Sequence, residues 1–144
     1  MPSKHEAAIL ALQSALSGHA SDILREQDLP VECPENGVIN IVPGDPEDVG
    51  AHLGTGRIEW QRPVELEAVV QGTEAAARNA EMDAALGDVA ARLVADRTLA
   101  GAVDYLLLSA PEESDTVPMQ GAESLKGAVL TVTLFYETTE NPME

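Results

Sequence analysis

Residues 73–95 read TEAAARNAEMDAALGDVAARLVA, and their periodicity decides the fold class. At about 100° per residue, Ala75, Met82, Leu86, Val89 and Leu93 fall in one narrow stripe bordered by Ala85 and Ala90. Thr73 stands ahead of the stripe as an N-cap, Asp88 and Arg92 form an i,i+4 pair on a flank with Glu74 and Glu81, and Gly87 is the weak point. The pattern predicts one long helix over residues 73–96 whose stripe must be buried across a sheet. Ala77, Ala80, Ala84, Ala91 and Ala95 gather on the opposite side, where a solvated helix normally shows Lys and Glu. Two readings stay open: alanine is the best helix former and costs nothing on a surface, or a second surface packs there.

Towards the N-terminus, Ser3 and Glu6 make a capping box ahead of Ile9, Leu12, Leu16, Ala20 and Ile23, which predicts a first helix over residues 4–25 with Gly18 as a weak position. His19 reads as a packing histidine at the helix border. Residues 26–37, with Pro30, Pro34 and the Asn36-Gly37 pair, read as an irregular crossing ending in a turn, followed by a strand over 38–42. Residues 43–56 hold four glycines, two prolines, Asp45, Glu47 and Asp48, and are expected to form a loop longer than hairpin closure needs. Residues 57–70 alternate, with Ile58, Trp60, Val64, Leu66, Ala68 and Val70 on one face and Glu59, Gln61, Glu65 and Glu67 on the other. Arg62 interrupts the apolar face and Pro63 removes a ladder donor, which predicts a sheet edge or a bulge in the first half.

Towards the C-terminus, the Leu106-Leu107-Leu108 run within 102–108 predicts a central strand buried on both faces. Residues 109–124 read as a second long acidic connection, 128–138 as a long alternating strand, and 140–144 as a frayed end. The expected fold is therefore α+β in the order αββαββ: one domain over 1–144 with a four-stranded, mostly antiparallel or mixed sheet and both helices on one face.

The totals narrow the function. The chain has 25 acidic and 8 basic residues, a net charge of -17, spread as twelve acids against four bases in residues 1–72 and thirteen against four in 73–144. So few cations cannot neutralise a phosphate backbone, which argues against binding DNA, RNA or an anionic membrane, whereas repelling DNA fits. Phe135, Trp60, Tyr105 and Tyr136 are the only aromatics, so the interior must be aliphatic. Cys33 is the only cysteine, which excludes an internal disulfide and fits a reducing compartment. The first residues show no signal-peptide core and no run is long enough to span a bilayer, so a soluble protein is expected.

Chemistry has no anchor in the pattern. His5, His19, His52 and Cys33 lack metal-ligand spacing, and no nucleophile elbow or phosphate-binding glycine-lysine loop occurs. The loop from Asp45 has acids at its first, third and fourth positions and Gly50 at the sixth, but Gly56 stands at the twelfth, where an EF-hand needs glutamate. Gly54-Thr55-Gly56 feeds a strand and reads as a turn. No catalytic residue, cofactor or metal is expected.

Asp96-Arg97-Thr98-Leu99-Ala100-Gly101-Ala102-Val103-Asp104, set between the long helix and the next strand, resembles the Thr-Leu-Gly-Gly-like turn of phage tail terminator and tail-completion proteins. Gly44-Asp45-Pro46, the Glu- and Val-rich strand before Gly72, and Tyr136-Glu137-Thr138 followed by Asn141-Pro142 extend the likeness over most of the chain. Ala100 departs from the pattern, standing where the first of two glycines is expected, so a less strained backbone is expected there. The resemblance implies a non-enzymatic virion subunit, assembled in the host cytoplasm, that forms a ring, usually hexameric, on the head-proximal end of a long non-contractile tail tube. Such a ring ends tube growth and offers a surface to the head-tail connector protein while DNA passes through without specific binding. Its interface or lumen residues are expected among Asp45, Glu47, Asp48 and His52 in one loop and Glu112, Glu113, Asp115 and Met119 in the other, with Thr98, Leu99 and Gly101 as the structural turn. Another head-tail joining subunit, such as a head-completion or stopper protein, and a small-molecule-binding regulatory domain are the alternatives.

Overall fold

The computed structural model describes residues 2–19, 21–26, 37–72, 74–113 and 124–144. The elements run α1 (Lys4–Leu16), β1 (Asp22–Arg25), β2 (Val38–Pro43), β3 (Glu47–His52), β4 (Arg57–Gly72), α2 (Ala75–Ala95), β5 (Tyr105–Leu108), β6 (Glu112–Glu113) and β7 (Ser124–Thr138). The class is α+β. The sheet has seven strands, one of them the two-residue β6, where four were expected.

Its spine is the antiparallel pair β4 and β7, in register from Ile58 opposite Thr138 to Gly72 opposite Ser124. The path across the sheet is β1-β2-β4-β7-β5. β3 lies beside the first half of β4, ahead of β2, and β6 lies beside Ala128 and Val129 of β7. Even-numbered residues of β4, β5 and β7 share one face, and Val64, Leu66, Ala68, Val70, Leu106, Leu130, Val132 and Leu134 are buried there. They form one core cluster with Ala8, Ile9, Leu12 and Leu16 of α1 and Met82, Leu86, Val89 and Leu93 of α2. Both helices thus cover the same face, and their apolar stripes drive the packing at roughly 25 cal/mol per Å² buried.

α2 buries its expected stripe with two differences. Ala75 is exposed, and Arg78 takes the stripe's first buried position, its Nη1 donating to the Gly72 carbonyl at 2.7 Å. Thr73 lies outside the described residues; Glu74 stands at the N-cap position without a side-chain capping bond. Ala77, Ala80, Ala84, Ala91 and Ala95 are all exposed.

The capping box forms, with the Glu6 N–H donating to Ser3 Oγ at 3.2 Å. The helix stops at Leu16, nine residues short of the expected end, because Gly18 adopts φ +87, a left-handed conformation that ends a helix. Ile23 then fits a strand period instead of a helical one, and β1 pairs parallel with β2. His19 packs as expected: its Nδ1 accepts from the Ser21 N–H at 2.9 Å and its Nε2 lies 3.1 Å from the Ala85 carbonyl, tying the end of α1 to α2.

Three strand expectations are corrected. The first half of β4 is paired on both sides, with β3 and β7, and is not an edge. Pro63 is accommodated because its carbonyl accepts from the Gly44 N–H at 2.8 Å, so its missing donor faces the gap where the chain passes from β2 to β3. The register shift lies in β3, between Asp48 and Gly50. β5 is the edge of the sheet, not its centre: Leu106 is buried, while Tyr105 and Leu107 point to the uncovered face and are 43% and 47% exposed. The C-terminus is not frayed, since the Glu144 carbonyl accepts from the Lys4 N–H at 2.8 Å and its carboxylate from the Thr139 N–H at 2.8 Å. Lys4 is one of the first-turn donors that a helix leaves unpaired.

Candidate functional site

The expected site residues fall in separate places. Asp45 is exposed in the link between β2 and β3, Glu47, Asp48 and His52 project from β3, and Glu112 and Glu113 form β6; Asp115 and Met119 lie outside the described residues. β3 flanks the start of β4 on the β2 side, whereas β6 flanks the start of β7 on the other side. Val129 and Glu137 are eight residues apart along β7, roughly 27 Å of strand, so the two acidic groups occupy diagonal corners of the sheet. The described members of the two groups do not converge on one patch.

The turn residues do act together. Leu99, Ala100 and Gly101 have φ of +48, +58 and +90, three left-handed residues in succession. The Asp96 carboxylate accepts the Ala100 N–H at 3.0 and 3.2 Å, and the Thr98 carbonyl accepts from Gly101 at 3.0 Å and Val103 at 3.1 Å. Leu99 is 2% exposed and anchors the turn in the core. The expectation of a relaxed backbone at Ala100 is therefore overturned: glycine is absent where the left-handed conformation is present.

The densest polar constellation lies at the turn end of the β3–β4 hairpin. The register sets Glu59 directly opposite Glu137 and His52 opposite Arg57. His52 Nε2 lies 2.8 Å from Glu59 Oε1 and 3.4 Å from Glu137 Oε1, while Arg57 Nε donates to Glu137 Oε2 at 2.8 Å. The hydrogen bond and charge of Glu59 raise the His52 pKa above its ordinary 6.5. The hydrogen bond from Arg57 lowers that of Glu137 below its ordinary 4.5. A wide-mouthed depression of about 750 Å³ opens beside the cluster, lined by Leu53, Ile58, Thr139 and Asn141 among others. Leu53, at the hairpin tip, is 98% exposed. Of this group the sequence marks His52 alone as a candidate site residue; Glu59, Arg57 and Glu137 join it through strand register, which spacing along the chain does not reveal.

A second constellation is structural. Arg62, the residue that breaks the apolar face of β4, donates from Nε to the Gly44 carbonyl at 2.9 Å and from Nη1 to the His5 carbonyl at 3.0 Å. The His5 ring packs edge-on against Trp60 and Tyr136 at 4.9 and 5.4 Å, and its Nδ1 shares a 2.6 Å hydrogen bond with the Tyr136 hydroxyl. Two of the four aromatics thus hold the first turn of α1 on the sheet. Among the described residues no helix is long and apolar enough to cross a membrane.

No protein-family model matches the chain, and no curated protein matches it significantly.

Proposed function

We propose that the chain is a tail-terminator subunit of a phage with a long non-contractile tail. In the virion it forms a ring, a hexamer, at the head-proximal end of the tail tube, where it ends tube polymerisation and presents a surface to the head-tail connector protein. The observation that carries this reading is the 96–104 turn between α2 and β5, whose sequence resembles that family and whose backbone keeps three left-handed residues even where alanine replaces glycine. Left-handed L-residues cost of order 1–3 kcal/mol each and persist where the surrounding structure holds them, which marks the turn as a specified feature.

Three further observations support an assembly role without a reaction. A net charge of -17 lets DNA slide through a ring by repulsion instead of sticking. The acids at diagonal corners, on β3 and β6, give two separate negative patches, which fit surfaces that face a DNA-lined lumen and not each other. Tyr105, Leu107 and Leu53 are exposed apolar side chains on the open sheet face and at the hairpin tip, available to neighbours in ring and tube. Native mass spectrometry and tube-length measurement test the proposal together. A ring-sized oligomer that shortens growing tail tubes is the expected result; a monomer that leaves the tube-length distribution unchanged refutes it.

A further inference from the structure

We propose that His52, Glu59 and Glu137 bind a divalent transition-metal ion of the Zn²⁺ type at the turn end of the β3–β4 hairpin. One imidazole nitrogen and two carboxylate oxygens lie within 4.8 Å of one another. Four-coordinate zinc, with bonds of about 2.0–2.2 Å to nitrogen and oxygen, separates its ligand atoms by roughly 3.4 Å. His52 Nε2 and Glu137 Oε1 already stand 3.4 Å apart, and Nε2 and Glu59 Oε1 stand 2.8 Å apart. The proton held between Nε2 and Glu59 Oε1 leaves to solvent, with the neutral ring keeping its proton on Nδ1, and small side-chain rotations then turn the trio into a coordination shell with a fourth position open to solvent.

The register supplies the reason for an ion. Like charges directly opposite on neighbouring strands repel, and Glu59 and Glu137 occupy one rung of the β4–β7 ladder. Arg57 compensates only Glu137, and through Oε2, which leaves Oε1 free to ligate while the guanidinium fixes the carboxylate's orientation from behind. With His52 neutral, two carboxylates and one guanidinium leave the cluster net negative. Glu140 stands beside Gly56 and Glu144 acts on Arg57, adding to the local attraction for a cation. The donor set selects the class of ion: imidazole suits zinc, copper and nickel, whereas calcium takes six to eight oxygens and magnesium keeps its waters. A bound ion would clip β3 and β4 to the end of β7, stiffening the hairpin that carries Leu53.

Titration of the folded chain with ZnCl₂ in a calorimeter, repeated with CoCl₂ by visible absorption and with ¹⁵N-histidine NMR, tests this. We expect one zinc per chain, a four-coordinate cobalt spectrum and a shift of the His52 Nε2 resonance. His52→Ala and Glu137→Gln should each weaken binding roughly tenfold or more with the circular-dichroism spectrum kept, while Asp45→Asn in the β2–β3 link and Asp48→Asn on β3 leave it unchanged. Zinc affinity unaltered by His52→Ala, an unmoved Nε2 resonance at saturating zinc, or no stoichiometric binding overturns the proposal. None of these outcomes depends on whether the chain forms a ring.

Discussion

Replacing Ala100 with glycine should make the protein more stable, against the usual direction of such a change. Ala100 has φ +58, between Leu99 at +48 and Gly101 at +90, and its side chain is exposed. A left-handed L-residue costs roughly 1–2 kcal/mol because its Cβ crowds the following carbonyl. Glycine removes that cost and returns about 0.4–1 kcal/mol to the unfolded chain as entropy. No packing is lost, and the Ala100 N–H that bonds the Asp96 carboxylate is retained. The difference is a gain of about 0.5–1 kcal/mol, or roughly 1–4 °C in Tm for a domain of this size. Urea unfolding followed by circular dichroism reads it as a raised midpoint at constant m-value. Ala100→Val, β-branched at a left-handed position, should move the midpoint the other way by about 1–2 kcal/mol. Loss of stability in Ala100→Gly of about 0.5 kcal/mol or more would mean that position 100 is not left-handed, and the reasoning about the turn would fail.

Gly101→Val should lower Tm clearly; no atom lies within 4 Å of an added Cβ, so the loss comes from φ +90, and Gly101→Ala should lose stability as well. Burial first, and the Arg62 guanidinium second, hold the His5 pKa below its ordinary 6.5. The unfolded chain therefore binds the proton more readily, and stability should fall as pH drops below 6.5 towards the lower folded value; chemical unfolding at pH 7.5 and 5.5 should show a smaller fall in His5→Phe. Replacing residues 114–120, which lie outside the described residues, with a short Gly-Ser linker should keep the circular-dichroism spectrum and abolish ring formation or tail capping, and normal virion yield would count against it. Arg97→Ala should cause concentration-dependent self-association in sedimentation velocity, because it uncovers the outer edge of β5; unchanged sedimentation would show that the edge is protected in another way.

The parts of the fold legible in the sequence are those where one face is buried and the other wet. α2, β4 and β7 declare themselves through stripes or alternation, because each sets apolar side chains on a core and polar ones in water. β3 does not. Glu47, Asp48, Val49, Ala51 and His52 are all exposed, so no burial imprints a period; the strand exists because β4 runs on past β2 and offers it an unpaired ladder. Ile23 satisfies a helical stripe and a strand equally, and only the left-handed Gly18 decides between them. At Leu106-Leu107-Leu108 the assumption that an apolar run means burial on both faces misleads, because one of the three faces an uncovered sheet surface. The candidate site was the least legible: Glu59 and Glu137 are 78 positions apart, and nothing local marks either as the other's partner.

In the proposed ring, the edge and the open face of the sheet near β5 are not equivalent as attachment surfaces. The Ser109 N–H bonds the Thr131 carbonyl, so the backbone groups of odd-numbered residues in β5 face β7 and those of Leu106 face outwards. Arg97 donates from Nη1 to that outward Leu106 carbonyl at 3.0 Å and lies over the Tyr105 ring at 5.1 Å. A charged side chain so placed blunts strand addition, a common way in which sheets avoid edge-to-edge pairing. The uncovered face is more open: Tyr105, under Arg97, and Leu107 stand opposite Phe135 and Thr133, with no helix above them among the described residues. Contact between copies through this face keeps each sheet intact and buries aromatic and aliphatic surface, whereas contact through the β5 edge must first displace Arg97. In the proposed ring, therefore, the open face of the sheet joins the subunits, and the β5 edge does not.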